Sequence, residues 1–235
     1  MKKCMSVYKF IALYILVIGL CLSSIFIIDH SVTAFSESSP ISGRKCVIID
    51  AGHGGEDGGA VSCTGVYESK INLQIALKLE NLMHLLGLDT VMIRKTDSSV
   101  SREGQTIAAR KMSDLKERVR IINSTENGIL LSIHQNQFQD GRYSGAQVFY
   151  ANDPESCELA KNLQTQLKQT INPGSRRPAK KSSGVYLMEH ISCTGILVEC
   201  GFLSNPEEEA KLRTNDYQNK LCCVIAATVS TYLNT

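Results

Sequence analysis

Short apolar runs alternate with longer amphipathic stretches along most of the chain. Residues 45–50 place Cys-Val-Ile-Ile behind a lysine and read as a buried strand. Residues 68–86 read as a helix closed by Gly87. On that helix, positions 68, 72, 75, 79, 82 and 86 share one face, and it carries Ile75, Leu79, Leu82 and Leu86. Residues 89–94 alternate as a strand, 113–123 suit a helix, and 128–134 form a strand of nearly continuous aliphatics. A strand over 146–150 follows, then a helix over 153–170 opened by Asp153-Pro154. Residues 195–199 read as a strand, with helices over 206–213 and 216–233. Strands separated by helices predict an α/β fold with one domain. Its central sheet is mostly parallel, with helices on both faces and the functional site at the carboxyl ends of the strands.

The first residues break this pattern. Lys2, Lys3 and Lys9 give a positive start, and residues 10–28 carry no charge, long enough to span a bilayer. Val32-Thr33-Ala34 supplies the small residues that a signal peptidase requires. Residues 1–34 are therefore expected to be a signal peptide or a retained N-terminal membrane anchor. Residues 35–44 form a serine-rich linker, and 45–235 the folded domain. Either way the positive end stays inside and the domain lies outside the cytoplasmic membrane.

A net charge of +2, no basic tail and no aromatic-basic stripe argue against a nucleic-acid partner. Of nine cysteines, Cys4 and Cys21 belong to the leader. Cys46, Cys63, Cys157, Cys193, Cys200, Cys222 and Cys223 remain, an odd number, so at least one has no partner within the domain. No C-x-x-C pair occurs, which disfavours a thiolate zinc site. Several of these cysteines sit in apolar runs, where they act as small hydrophobes, and free thiols are expected. Two long connections complete the layout. Residues 96–111 are polar and include Arg102 and Arg110, and residues 172–183 carry Arg176, Arg177, Lys180 and Lys181. Such loops border a site or lie in solvent.

Candidate chemistry begins where the first strand ends, at Asp50-Ala51-Gly52-His53-Gly54-Gly55-Glu56-Asp57-Gly58-Gly59. Glycines here let backbone approach a ligand closely. The dinucleotide fingerprint fails because Asp57 stands where it needs glycine, and no Gly-Lys-Ser/Thr follows. His53 is left as the reactive side chain. Glu68 heads the core-facing stripe of its helix, where a bare carboxylate is costly without a partner or cation. Its plainer role is a first-turn acid favoured by the helix dipole. His134 ends an aliphatic strand, where a hydrogen-bonded structural histidine is the plainer reading. Glu199 ends another, and glutamate is almost never buried alone. In an open parallel sheet these strand ends converge on one crevice. Two histidines and one glutamate make an open catalytic zinc site, and a second glutamate can serve as base.

Asp-Ala-Gly-His-Gly-Gly at 50–55, Glu68, Ser-Ile-His-Gln-Asn at 132–136 and Glu-Cys-Gly-Phe-Leu-Ser-Asn at 199–205 resemble the zinc-dependent N-acetylmuramoyl-L-alanine amidases. The resemblance runs from about Lys45 to Leu233, and Leu115, Arg118 and Asn123 also look like the family's. It implies that His53, Glu68 and His134 bind Zn²⁺, that Glu199 is the catalytic carboxylate, and that the substrate is peptidoglycan. The layout looks most like the germination-specific members that process spore cortex, in the cell wall or spore intermembrane space. Any membrane contact is expected only through an uncleaved leader, and a regulatory protein partner stays open and unidentified. Asn136 either positions substrate or caps a turn, and Gln135 and Gln137 replace the smaller residues of many relatives. The basic loop either meets anionic glycan or stem-peptide carboxylates or is simply solvated. A zinc carboxypeptidase on stem peptides and a non-catalytic wall-binding protein are the competing readings.

Overall fold

Pairing of the aliphatic runs at 46–51 and 128–136 sets the centre of the fold. The computed structural model describes residues 45–234, so the expected leader and linker at 1–44 lie outside the described residues. In chain order the elements are β1 (Cys46–Ala51), α1 (Glu68–Leu85), β2 (Asp89–Met92), α2 (Ile107–Ser124), β3 (Gly128–Asn136) and β4 (Gln147–Tyr150). They continue as α3 (Pro154–Thr170), β5 (Lys180–Lys181), α4 (Tyr186–His190), β6 (Thr194–Phe202), α5 (Pro206–Leu212) and α6 (Asn215–Leu233). The strands form one six-stranded sheet in the order β2-β1-β3-β6-β4-β5. The β2, β1, β3 and β6 strands run parallel, while β4 is antiparallel to β6 and parallel to β5.

The period-2 alternation of strand side chains divides the core into two layers. Val47, Ile49, Ile129, Leu131, Ile133, Ile196 and Val198 pack with α1, α3 and α6 on one face. Ile48, Leu130 and Leu197 pack with Ile122 of α2 and with Leu187 and Met188 of α4 on the other. Helices thus cover both faces of a single α/β domain, as the alternating pattern predicted. Among the described residues, no helix is long and apolar enough to cross a membrane.

Four details depart from the sequence reading. Helix α2 starts at Ile107, not 113, with Thr106 capping it by accepting a hydrogen bond from the Ala109 amide. Its first turns face water, with Ile107 71% exposed, so no apolar stripe marked them. On α1 the buried stripe is Ile71, Ile75, Ala76, Leu79 and Met83; Leu82 is half-buried and Leu86 lies past the helix end, exposed. The strands β3 and β6 continue beyond their aliphatic runs to Asn136 and Phe202. Strand β5 and helix α4 were not expected, being too short for any periodicity to register.

The registers matter most at the strand ends. Asp50 lies beside Ser132 in the β1–β3 pair, and His134 lies beside Glu199 in the β3–β6 pair. The ladder shifts between His134 and Asn136, where a bulge ends regular pairing.

Candidate active site

The chain leaves β1 through a turn closed by hydrogen bonds from the Gly54 amide to Asp57 O (2.8 Å) and from the Asp57 amide to Gly54 O (3.3 Å). His53 sits in this turn at φ 63°, a left-handed conformation that costs a non-glycine residue on the order of 1–3 kcal/mol. Two buried arginines hold the strained segment from below. Arg118 donates to Ala51 O (3.1 Å) and His53 O (2.7 Å), and Arg94 donates to Ala51 O (2.7 Å), Gly52 O (3.0 Å) and Ser69 O (2.9 Å). Arg118 also pairs with Asp50, which accepts a further hydrogen bond from Ser132 Oγ at 2.7 Å. The strain at His53 is thus imposed by a charged, fully bonded scaffold.

Glu68, the first residue of α1, projects its carboxylate between two imidazoles. Oε2 lies 3.3 Å from His53 Nε2 and Oε1 lies 3.0 Å from His134 Nδ1. The Ala60 and Gln135 amides donate to Glu68 at 3.0 Å each, and Asn72 Nδ2 donates at 3.2 Å. A first-turn acid serving only the helix dipole would face solvent; this one is 4% exposed and fixed on every side. The two rings meet edge to face with centroids 5.0 Å apart. The far nitrogen of His53, Nδ1, faces Asp57 Oδ2 at 2.9 Å, and Lys111 holds that same oxygen at 3.1 Å.

Glycine is required at two places around this cluster. A Cβ on Gly52 would fall 2.2 Å from the Cε1 and Nε2 atoms of His134. One on Gly59, at φ +68°, would fall 2.7 Å from Glu68 Oε2 and from His53 Cδ2. The backbone is pressed against all three side chains, which the glycine density at 52–59 anticipated.

The charges follow from this packing. Burial alone would raise the Glu68 carboxyl, but hydrogen bonds and charge from His134 and His53 outweigh it and hold it well below the carboxylate range. Burial pulls the His53 imidazole down, and hydrogen bonds and charge from Asp57 and Glu68 overcome it, lifting it to about 9. Glu199 moves the other way. Its side chain is half-buried, yet Oε2 is enclosed and has no hydrogen-bond partner among the described residues. Burial, opposed by His134 and His53 and reinforced by Glu68, pushes it up to about 7. A carboxyl poised there can both take and give a proton near neutrality.

Of the sequence-predicted residues, His53, Glu68 and His134 come together, with ligand atoms within 4.8 Å of one another, and Glu199 lies next to them. Two nitrogens and a carboxylate oxygen suit zinc, whose ligand atoms in a tetrahedral shell lie about 3.3 Å apart. The 3.3 and 3.0 Å contacts of Glu68, made through its two separate oxygens, are near that spacing, and with all three groups within 4.8 Å the residues fit the ion. Asn136 is half-buried and its carbonyl accepts from the Leu203 amide, while Gln137 is exposed. Asn123 is turned away from the site, bonding His190 O and the Ser192 amide. Sequence reasoning used Asp57 only to exclude a dinucleotide fingerprint and missed its contact with His53; the i, i+4 spacing within one turn was the available signal. It also missed Asn72, Arg94 and the role of Asp50, because a buried polar network of scattered residues has no period.

Known proteins resemble this chain over most of the described residues. A family model described as N-acetylmuramoyl-L-alanine amidase (Amidase_3) matches residues 47–231. The germination-specific N-acetylmuramoyl-L-alanine amidase of Bacillus subtilis is 37% identical over 190 residues, covering 80% of this chain and 79% of that protein. The CwlD amidase from Clostridioides difficile, solved in complex with the GerS lipoprotein, superposes with a TM-score of 0.78 at 36% identity, covering 81% of this chain and 99% of that one. The catalytic domain of CwlV from Bacillus (Paenibacillus) polymyxa aligns with a TM-score of 0.66 at 28% identity, covering 81% and 98% of the two chains.

Proposed function

The chain belongs to the N-acetylmuramoyl-L-alanine amidase family, and from that premise we propose that it is a zinc-dependent amidase acting on peptidoglycan during spore cortex maturation. The bond cut is the amide between the lactyl group of muramic acid and the L-alanine of the stem peptide. The observation that carries this reading is the cluster of His53, Glu68 and His134 beside a glutamate whose Oε2 has no hydrogen-bond partner among the described residues. We assign the first three as ligands of Zn²⁺ and Glu199 as the catalytic carboxylate.

When bound, the ion supplies Lewis-acid polarisation of water and of the scissile carbonyl. The chain's own residues do the rest. Glu199 Oε2 takes a proton from the attacking water and returns it to the departing alanine nitrogen. Its elevated pKa suits both halves of that exchange, because a strongly acidic carboxyl would take water's proton poorly and a weakly acidic one would already be protonated. Asp57 fixes the His53 ring through Nδ1 and leaves Nε2 facing Glu68. Asn72 and the Gln135 amide fix the Glu68 carboxylate in turn.

The cell-wall amidases among its relatives support an exported protein, working in the cell wall or the spore intermembrane space, with residues 1–34 as signal peptide or anchor. The complex of CwlD with GerS supports a protein partner for this chain as well.

The test is to incubate the zinc-loaded chain with vegetative peptidoglycan and with spore cortex, then identify the products by mass spectrometry. A new lactyl carboxylate and a free alanine amine are expected. Release of a C-terminal amino acid from the stem peptide would point to a carboxypeptidase. Wall binding without any cleavage would point to a non-catalytic protein.

A further inference from the structure

The basic loop between α3 and β5 is fastened beside the site. Gln147 faces Glu199 in the antiparallel β4–β6 pair. Side chains directly opposite leave the same face of a sheet, with Cβ atoms about 5 Å apart. Gln147 is 1% exposed, and its amide is occupied by the loop: Nε2 donates to Pro178 O, and Oε1 accepts from Arg177 Nη1 at 3.4 Å. Arg177 is therefore pinned over the strand next to Glu199, at the active-site end of the sheet.

Its guanidinium lies 4.8 Å from the ring centroid of Phe202 and 5.9 Å from that of Tyr143. Tyr143 stacks on Phe202 at 6.2 Å and meets Phe138 edge-on at 5.0 Å. Phe138 and Tyr143 are 54% and 46% exposed, which is unusual for two adjacent large rings. Arg177 Nε donates to Ser144 O at 3.3 Å, so both of its hydrogen-bond acceptors are neutral. No salt bridge to Arg177 occurs among the described residues. The neighbouring Glu208 carboxylate is buried and engaged by the Gly145 and Phe202 amides. A guanidinium held beside aromatic rings, with donors left over and its neighbouring carboxylate already engaged by backbone amides, is preorganised for a further carboxylate.

We propose that Arg177 is a specificity-determining residue that pairs with a free carboxylate of the stem peptide, while Phe138 and Tyr143 flank the peptide's aliphatic portion. This rests on the amidase reading above. With the scissile amide placed at Glu199, a guanidinium held over the adjacent strand is within reach of a group about two residues of extended peptide away, about 7 Å. The carboxylate read is thus the one on the residue following alanine.

The experiment uses the zinc-loaded full chain and two soluble muropeptides differing only in that residue, which carries either a free α-carboxylate or the corresponding amide. Wild type is expected to favour the acid by about tenfold or more in kcat/KM, the range of a hydrogen bond to a charged group. In Arg177→Gln that ratio falls to about one, with the loss appearing in KM for the acid. Arg177→Lys, which keeps the charge without the fork, is expected to retain part of the preference. Equal use of both substrates by wild type, or a preference that survives Arg177→Gln, would overturn the assignment. A loop-fastening role alone predicts that Arg177→Gln slows both substrates equally, which also counts against it. Should wild type cleave neither, the amidase reading itself fails; cleavage of both at one rate removes only the role of Arg177.

Discussion

Replacing Arg118 with methionine tests whether the scaffold beneath His53 is as tightly balanced as it looks. Arg118 is 2% exposed and donates to Asp50, Asp114, Ala51 O and His53 O. Methionine fills much of the volume but returns none of these bonds, leaving Asp50, itself 1% exposed, with Ser132 as its remaining donor. Breaking one side of a buried pair costs about 3–5 kcal/mol. An independent bound comes from titration: an orphaned Asp50 can escape by taking a proton, which at pH 7 costs about 4 kcal/mol relative to a free carboxyl near 3.9. The two figures agree. In the wild type the Asp50 carboxyl is held below its ordinary value by Arg118, His134 and Ser132 against the effect of burial. Its stabilisation is therefore present above the unfolded pKa and lost as pH falls through the folded one. In the variant the sign reverses, because a buried carboxyl without its cation has a raised pKa and the folded state gains protons on acidification. The stability gap is thus expected to narrow by up to about 1.4 kcal/mol per unit between pH 7 and 5. Urea denaturation of the metal-free chain, followed by circular dichroism at both pH values, measures it. A loss under about 1 kcal/mol at pH 7, or a gap indifferent to pH, would refute the reasoning.

Glu199→Gln should keep stoichiometric zinc and lose at least about a hundredfold in turnover, read by metal analysis beside a cleavage assay; near-normal turnover would remove Glu199 from the chemistry. Gly52→Ala puts a methyl group 2.2 Å from the His134 ring, and the displaced imidazole should weaken zinc binding at least about tenfold while the fold survives. Wild-type affinity in a competition titration would contradict that contact. Because His53 titrates at about 9 without metal, it must shed a proton to ligate, so zinc binding should release protons and tighten as pH rises towards 9. Calorimetry in buffers of different ionisation heat shows this, and no proton release at pH 7 would count against His53 as ligand. Cys63 and Cys223 are exposed, while Cys200 and Cys222 are buried, with the Cys222 thiol pushed up to about 12 by burial. Alkylation at pH 8 should label the first two and spare the second two until denaturant is added, as mass spectrometry of the modified chain will report.

The sheet was legible because aliphatic runs such as 128–133 admit few alternatives, and His53 and His134, which come together with Glu68, were legible because they follow such runs. Glu68 was readable from its place on the α1 stripe, although the far end of that stripe fades, with Leu82 only partly buried against the core and Leu86 exposed. Less visible was everything that depends on contacts between distant segments. Asp50, Arg94, Asn72 and Asp57 each look like an ordinary polar residue in the sequence and acquire a role only when β1, α1 and β2 are brought together. The basic loop offered charge without address: Arg177 is set apart only by its contacts with Gln147 and Phe202, while Arg176, Lys180 and Lys181 are exposed.

The strand order has a consequence for the timing of competence. The last strand to be synthesised, β6, occupies an interior position between β3 and β4. A nascent chain that has already emitted His53, Glu68 and His134 still lacks the neighbour of β3 and, with it, Glu199, the proposed proton carrier. Glu199 arrives only when β6 slots into that gap, a long-range pairing that is slow to form. On the proposed roles, a chain arrested before β6 would carry the three ligand side chains and lack the carboxylate that works beside them.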